Sequence, residues 1–225
     1  IATSLANVPQ RRAGATATVI GADIIIFGGT TTNLQTGTNV VYGPYSDFGR
    51  QDLANGARYN PFANTWTAIA DAPSGRQRHT ASWSGTYVLV WGGTAWYYNA
   101  PLFGGDGEFY EAPVASGLRY NPASDTWSAM STNGQPVVAT GHSSAWSSTG
   151  SLMIWGGDTW PSYCYISCGF AHTYTNGGAR YSPGTDTWSP MAATAAEARF
   201  DHAAVWTGSQ MILWGGEKEF GITLA

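Results

Sequence analysis

The sequence predicts an all-β chain built from repeated four-stranded antiparallel sheets, and three observations predict it. A short apolar run closed by an aromatic residue and two glycines occurs four times, at Phe27-Gly28-Gly29, Trp91-Gly92-Gly93, Trp155-Gly156-Gly157 and Trp214-Gly215-Gly216. Arg58-Tyr59-Asn60-Pro61, Arg119-Tyr120-Asn121-Pro122 and Arg180-Tyr181-Ser182-Pro183 begin 61 residues apart. Each is followed at one fixed offset by a Thr-Trp pair, Thr65-Trp66, Thr126-Trp127 and Thr187-Trp188. Landmarks that recur in step over most of a chain mark stacked supersecondary units.

Each unit reads as strands a to d. Strand a covers 15–19, 79–83, 142–146 and 202–206, the last three opening on His79, His142 and His202. A glycine-centred turn such as Ser84-Gly85-Thr86 or Thr207-Gly208-Ser209 leads into strand b as a tight hairpin. Strand b is the apolar run, at 23–26, 87–90, 152–154 and 211–213. These runs are too short for helices, rich in β-branched residues and bounded by glycine, which fits buried strands. The glycine pair ends each one because two residues without Cβ allow close backbone approach. Strand c is the Arg-Tyr segment, and Thr-Trp opens strand d. Between them, Pro61-Phe62-Ala63-Asn64, Pro122-Ala123-Ser124-Asp125 and Pro183-Gly184-Thr185-Asp186 are turn chemistry. Residues 1–9 align with 65–73, so they read as a strand d whose tryptophan is replaced by Ala2. The chain then runs d, abcd, abcd, abcd, ab, and the strand missing from four full units is an Arg-Tyr one.

A four-stranded sheet repeating along a chain suggests the blade of a β-propeller. The double glycine, then a tyrosine, then a tryptophan with six residues between the two rings, as from Tyr59 to Trp66, resembles the kelch repeat over nearly the whole chain. The resemblance implies a single kelch-type propeller domain, or a fragment of one, over 1–225. Its parts are a strand d at 1–9, blades at about 10–72, 73–133 and 134–194, and a partial blade at 195–225. Three arrangements fit the incomplete last blade: a longer propeller, a four-bladed ring one strand short, or completion of the open blade by another chain. An unpaired strand edge is a liability, and strand addition is one way to cover it.

Composition limits the partners. The formal net charge is −4, 11% of residues are charged and Lys218 is the single lysine, so there is no basic footprint for nucleic acid. No apolar run approaches the roughly 20 residues that span a bilayer. Low charge with abundant Gly, Ser, Thr, Trp and Tyr suits a secreted, periplasmic or cell-surface protein. Cys164 and Cys168 are the two cysteines. They could form a redox pair or half of a metal site. Their spacing is not Cys-x-x-Cys and no second pair exists, so a disulfide stapling a loop in an oxidising compartment is the preferred reading.

Function is expected in the b–c loops, 30–57, 94–118 and 158–179, which share one face of the disc. Loops much beyond about 12–15 residues with no structure of their own tend to be functional. They are rich in aromatic rings, and flat rings with a polar handle suit interfaces and ligand stacking. The candidate binding residues are Tyr45, Trp96, Tyr97, Tyr98, Tyr110, Trp160, Tyr163 and Tyr165. The competing reading is that these rings pack on one another to hold the loops. The tryptophans that recur in register, by contrast, are expected to pack sheet against sheet. His79, His142 and His202 could ring a metal at the channel mouth. Their repetition better fits a structural histidine bonded to backbone within each blade. His172, alone in the third loop, reads as solvated.

No catalytic residue, metal or cofactor is assigned. The expected function is a non-catalytic extracellular binding or assembly module, with a protein partner, self-assembly or a glycan as the thing bound. Carbohydrate binding on the same face is one alternative. Another is a copper-radical oxidase resembling galactose oxidase, whose site needs two histidines, two tyrosines and a thioether-linked cysteine. Here the cysteines are expected to pair with each other and no Tyr-His dipeptide stands in the sequence.

Overall fold

Three four-stranded antiparallel sheets of one design follow each other along the chain, and a two-stranded sheet follows them. The computed structural model describes residues 3–32, 50–99, 108–137, 139–159, 173–192, 195–219 and 222–224. Sheet one joins β1 (Thr16–Ile20), β2 (Asp23–Phe27), β5 (Gly56–Asn60) and β6 (Thr65–Ile69), with β3 (Thr30–Thr32) and β4 (Arg50–Asp52) forming a separate pair between β2 and β5. Sheet two joins β7 (Thr80–Trp83), β8 (Val88–Trp91), β11 (Gly117–Asn121) and β12 (Thr126–Ala129), with β9 (Thr94–Asn99) and β10 (Glu108–Pro113) paired in its b–c connection. Sheet three joins β13 (Ser143–Trp146), β14 (Leu152–Trp155), β15 (Gly178–Ser182) and β16 (Thr187–Pro190). The fourth sheet is β17 (Ala203–Trp206) with β18 (Met211–Trp214), followed by the small hairpin of β19 (Glu217–Glu219) and β20 (Ile222–Thr223). Among the described residues there is no helix, and none therefore long and apolar enough to cross a membrane.

The core lies between sheets. Strand b alternates its side chains, so Ile25 and Phe27 face sheet two while Val88 and Val90 face back toward them, with Leu118 and Tyr120 in the same cluster. Leu89 and Trp91 face sheet three and meet Leu152, Ile154, Tyr181 and Trp188. These two junctions are each closed by an aromatic pair, Phe27 on Trp127 at 4.5 Å and Trp91 on Trp188 at 4.6 Å. The same tryptophans donate their indole N–H across the junction, Trp127 to the Ala70 carbonyl and Trp188 to the Ser131 carbonyl, both at 2.8 Å. Packing and hydrogen bonding are thus carried by one side chain, which is why the Thr-Trp landmark repeats.

The c–d turns latch neighbouring sheets too. Asn64, Asp125 and Asp186 hold φ near +52°, +51° and +52°, a conformation that Asn and Asp tolerate better than other residues with a Cβ. Asp125 Oδ1 accepts the Tyr120 hydroxyl at 2.7 Å and the Ala70 N–H of the preceding sheet at 2.8 Å. Asp186 does the same for Tyr181 and Ser131. Asn64 does it for Tyr59 and Ser4.

Four sequence-based expectations change. Residues 3–12 form no strand; Ser4 nevertheless occupies the position that Ala70 and Ser131 hold in later repeats, since its N–H reaches Asn64 Oδ1 at 2.7 Å. The b–c connections are not structureless, because β3–β4 and β9–β10 are ladders of their own and Asp158 bridges both Thr140 and Tyr174. The histidines bond chiefly across sheets rather than to backbone within one. Trp214 is 69% exposed, whereas its equivalents Trp91 and Trp155 are 1% exposed, because among the described residues no sheet packs on its side of β17 and β18.

Candidate functional site

The aromatic face is positioned from its base upward. Gly92 and Gly93 turn the chain out of β8, and β9 and β10 then rise as a six-pair antiparallel ladder from Thr94–Pro113 to Asn99–Glu108. An enclosed arginine holds its foot. Arg76 Nη1 donates to the carbonyls of Gly92 at 3.3 Å and Ser116 at 2.8 Å, tying the two ends of this connection together. Its Nη2 reaches Ser116 Oγ at 3.1 Å. Burial draws this guanidinium down to about 10, yet it stays charged at neutral pH. Arg12 plays the same part in sheet one, donating to Gly28 O and Asn55 O, and Arg199 donates to Gly215 O.

Sequence reasoning missed these arginines. Their signal was available: Arg12, Arg76 and Arg199 each stand three residues before the strand-a position held by Ala15, His79 or His202. In the third repeat that place is Ala139.

On the ladder, residues directly opposite share a face. Tyr97 lies opposite Tyr110, and their rings stack with centroids 5.6 Å apart and planes 24° apart. Tyr97 remains 42% exposed, so the pair offers a ring to solvent. Trp96 lies opposite Glu111 on the other face. There Glu111 accepts from the Thr94 hydroxyl and from Gln77 Nε2, the latter at 3.2 Å. The Trp96 backbone N–H donates to Asp52 Oδ2 at 2.5 Å, which ties β9 to the end of β4 in the neighbouring connection. Burial pushes the Asp52 carboxyl up, the Trp96 N–H opposes this, and the Glu111 charge adds to the rise.

Between these two ladders opens a cleft of about 390 Å³, lined by Gln51, Asp52, Ser74, Trp96, Tyr97 and Val114 among others. It sets aromatic faces beside a carboxylate, an amide and a hydroxyl. A second cleft of about 490 Å³ lies by Arg11, Arg12, Arg78 and Gln77, near the starts of strands a.

Of the sequence-based candidates, the structure brings together Trp96, Tyr97 and Tyr110. Tyr98 lies opposite Phe109 in the ladder, and its ring lies outside the described residues. Tyr45, Trp160, Tyr163, Tyr165, Cys164, Cys168 and His172 also lie outside them. Asp52 and its cleft were not anticipated, because nothing in the local sequence Arg50-Gln51-Asp52 sets it apart from a surface loop.

The three described histidines are engaged between sheets. Nε2 of His79 meets Thr16 Oγ1 at 2.8 Å, that of His142 meets Thr80 Oγ1 at 3.1 Å, and that of His202 meets Ser143 Oγ at 2.6 Å. His142 Nδ1 lies 3.0 Å from the Ala139 carbonyl, so Nδ1 carries the proton and Nε2 accepts from the Thr80 hydroxyl. Among the described residues no three His, Cys, Asp or Glu side chains group as a metal site. No protein-family model matches this chain, and no curated protein matches it.

Proposed function

We propose that this chain is a β-propeller of the kelch type acting as a non-catalytic extracellular binding module, with the face carrying the b–c connections as its contact surface. The repeated sheets support the propeller reading; the kelch assignment rests on the Gly-Gly, Tyr and Trp spacing in the sequence. One observation carries the binding reading: the Tyr97–Tyr110 stack is held on a braced ladder and still leaves Tyr97 exposed beside a cleft. A preorganised aromatic platform loses little conformational entropy when a partner covers it. Secretion is supported by the low charge and by the cysteine pair in a protein with no metal-ligand spacing around it.

The second reading is that the bound partner is a carbohydrate. The cleft favours it, since a pyranose presents an apolar C–H face to a ring such as Tyr97 while its hydroxyls meet groups such as Asp52, Gln51 and Ser74. The test is to screen the protein on arrays of glycans and of extracellular proteins beside a Tyr97→Ser/Tyr110→Ser variant. Hits lost in the variant while its melting temperature holds support the face as the contact surface. Hits that survive the double substitution place binding elsewhere, and a glycan array silent at high protein concentration removes the carbohydrate reading.

A further inference from the structure

The cleft of about 490 Å³ between sheets one and two is built around arginine. Arg11, Arg12 and Arg78 line it with Thr30, Thr31 and Gln77, and no Asp or Glu among the described residues does. Three of the chain's ten Lys and Arg residues thus converge at one place in a protein of net charge −4. The three differ in state. Arg12 is pinned: Nε donates to Gln10 O, Nη1 to Gly28 O and Asn55 O, and Nη2 to Asn55 Oδ1. Four of its five N–H donors are engaged, so its charge is fixed in place. Arg11 and Arg78 are exposed, and among the described residues neither has an ion pair or a side-chain hydrogen bond. Gathered like charges repel one another, and an oxyanion bound among them turns that repulsion into attraction.

Arg78 also holds a backbone conformation that most side chains resist. The residue before strand a has positive φ in every repeat, Gly14 at +67°, Arg78 at +54°, Gly141 at +63° and Asp201 at +52°. Glycine meets that demand without strain, and Asp tolerates it through its short polar side chain. Arginine has neither means. What it gains there is placement. Its N–H donates to Gly14 O at 2.8 Å, and its Cγ lies 3.5 Å from where a Gly14 Cβ would stand. The stem therefore lies along bare backbone of sheet one, at the wall of the cleft. Strain held at an exposed charged residue in a cleft points to binding.

The cleft is also larger than an ion needs, since about 300–1,000 Å³ is the range for small organic ligands. Its other wall leads to the aromatic cleft. Thr30 pairs with Asp52 and Thr31 with Gln51 in the β3–β4 ribbon. The β3 residues line the arginine cleft and the β4 residues line the Tyr97 cleft. One two-stranded ribbon thus parts a cationic cleft from an aromatic one.

We propose that the arginine cleft is an anion subsite that holds the carboxylate or sulfate of an acidic saccharide on Arg78 and Arg11, beside the fixed charge of Arg12. The saccharide body rests on the carbohydrate reading of the adjacent cleft, and the anionic group rests on the arginines. A planar guanidinium meets either group through two parallel N–H donors, which fixes orientation as well as charge.

The test titrates tetragalacturonate, its fully methyl-esterified form and a heparin tetrasaccharide into the protein by isothermal titration calorimetry at low salt. At least one acidic probe should bind, and added salt should weaken it. Tetragalacturonate should bind about tenfold or more tightly than its uncharged ester. Arg78→Gln should weaken an acidic probe about tenfold and leave the ester unchanged. Arg78→Gly should weaken it likewise while the melting temperature holds or rises, because glycine relieves the left-handed strain. Acidic binding lost in Arg78→Gln but untouched by Tyr97→Ser/Tyr110→Ser supports this subsite and counts against the aromatic cleft. Equal affinity for acid and ester overturns the proposal and leaves the carbohydrate reading standing. Silence of both acidic probes overturns it, whether an oligoglutamate peptide or inorganic sulfate binds in their place or nothing does. Acidic binding that Arg78→Gln and Arg11→Gln both leave unchanged overturns it as well.

Discussion

His79 Nε2 lies 2.8 Å from Thr16 Oγ1, across the boundary between the first two sheets. The ring also packs edge-on against Phe27, with centroids 5.3 Å apart. An imidazole in that setting is held neutral, since charging it would place an ion among apolar groups.

Acid should therefore unlatch the sheets. Burial is the first cause that draws His79 down to about 3, and it draws His202 down to about 4 and His142 downward as well. Each folded value lies below that of the unfolded chain, about 6.5. Between those limits the unfolded state binds more protons, so stability is full above about pH 6.5 and falls as pH drops toward 3. The slope is at most about 1.4 kcal/mol per pH unit for each histidine. Urea denaturation at a series of pH values checks this, and His79→Gln should flatten the slope by one histidine's share. A slope that the variant leaves unchanged removes His79 as its source.

Gly92 should not accept a side chain. It holds φ near +61°, and a Cβ there would stand 2.6 Å from His142 Cε1. The next sheet's histidine seats directly on the first glycine of the pair, and the same relation joins Gly28 to His79 and Gly156 to His202. Gly92→Ala should cost roughly 2–4 kcal/mol, the sum of a left-handed alanine and a displaced core ring. Gly85→Ala is the control. It shares a positive φ, near +92°, but nothing lies within 4 Å, so only the backbone cost of about 1 kcal/mol applies. Thermal melts of the pair check the difference.

The Gly-Gly and Arg-Tyr landmarks made the sheets legible because each answers a local demand that must be met once per unit. Strand b needs an apolar run, its exit needs glycines, and the c–d turn needs Asn or Asp at a left-handed position. The contacts between units were less legible. The His79–Thr16 pair joins residues 63 positions apart, and nothing beside either residue marks the other. The site was least legible of all. Tyr97 and Tyr110 could be named as aromatic loop residues, but their stacking depends on the register of a β9–β10 ladder that loop length alone does not set. Asp52 reaches the cleft only because β4 and β9 come from different sheets.

Asp125 should tolerate asparagine and not alanine. Its Oδ1 takes the Tyr120 hydroxyl and the Ala70 N–H, and Asn64 performs both tasks with an amide oxygen in the first sheet. Asp125→Asn should therefore stay within about 1 kcal/mol of the parent. Asp125→Ala leaves the enclosed tyrosine hydroxyl and a backbone N–H without that acceptor and keeps a Cβ at positive φ. Its expected cost is roughly 2–4 kcal/mol by urea denaturation. Equal losses in the two variants would mean that the charge, rather than the acceptor, matters at this turn.

Arg76 links the scaffold to the binding face, and removing it should loosen that face before it unfolds the sheet. Its guanidinium is enclosed and ties Gly92 to Ser116, the two ends of the connection that bears Trp96, Tyr97 and Tyr110. Arg76→Met fills much of the same volume but offers no donor, so the Gly92 carbonyl loses its arginine partner and the Ser116 carbonyl keeps only the Gly92 N–H, at a cost of roughly 1–3 kcal/mol. Sheet two keeps its own ladder from β7 to β12 and its packing against both neighbours. The loss should therefore concentrate on the amides of 94–99 and 108–113, read by native-state hydrogen exchange, while those of β8 hold their protection. Arg76→Lys should fall between methionine and the parent, because an ammonium can replace the carbonyl donor Nη1 but leaves Ser74 Oγ and Ser116 Oγ, the partners of Nη2, without theirs. Protection lost equally from β8 and β9 would show that Arg76 supports the whole sheet and not the ladder that rises from it.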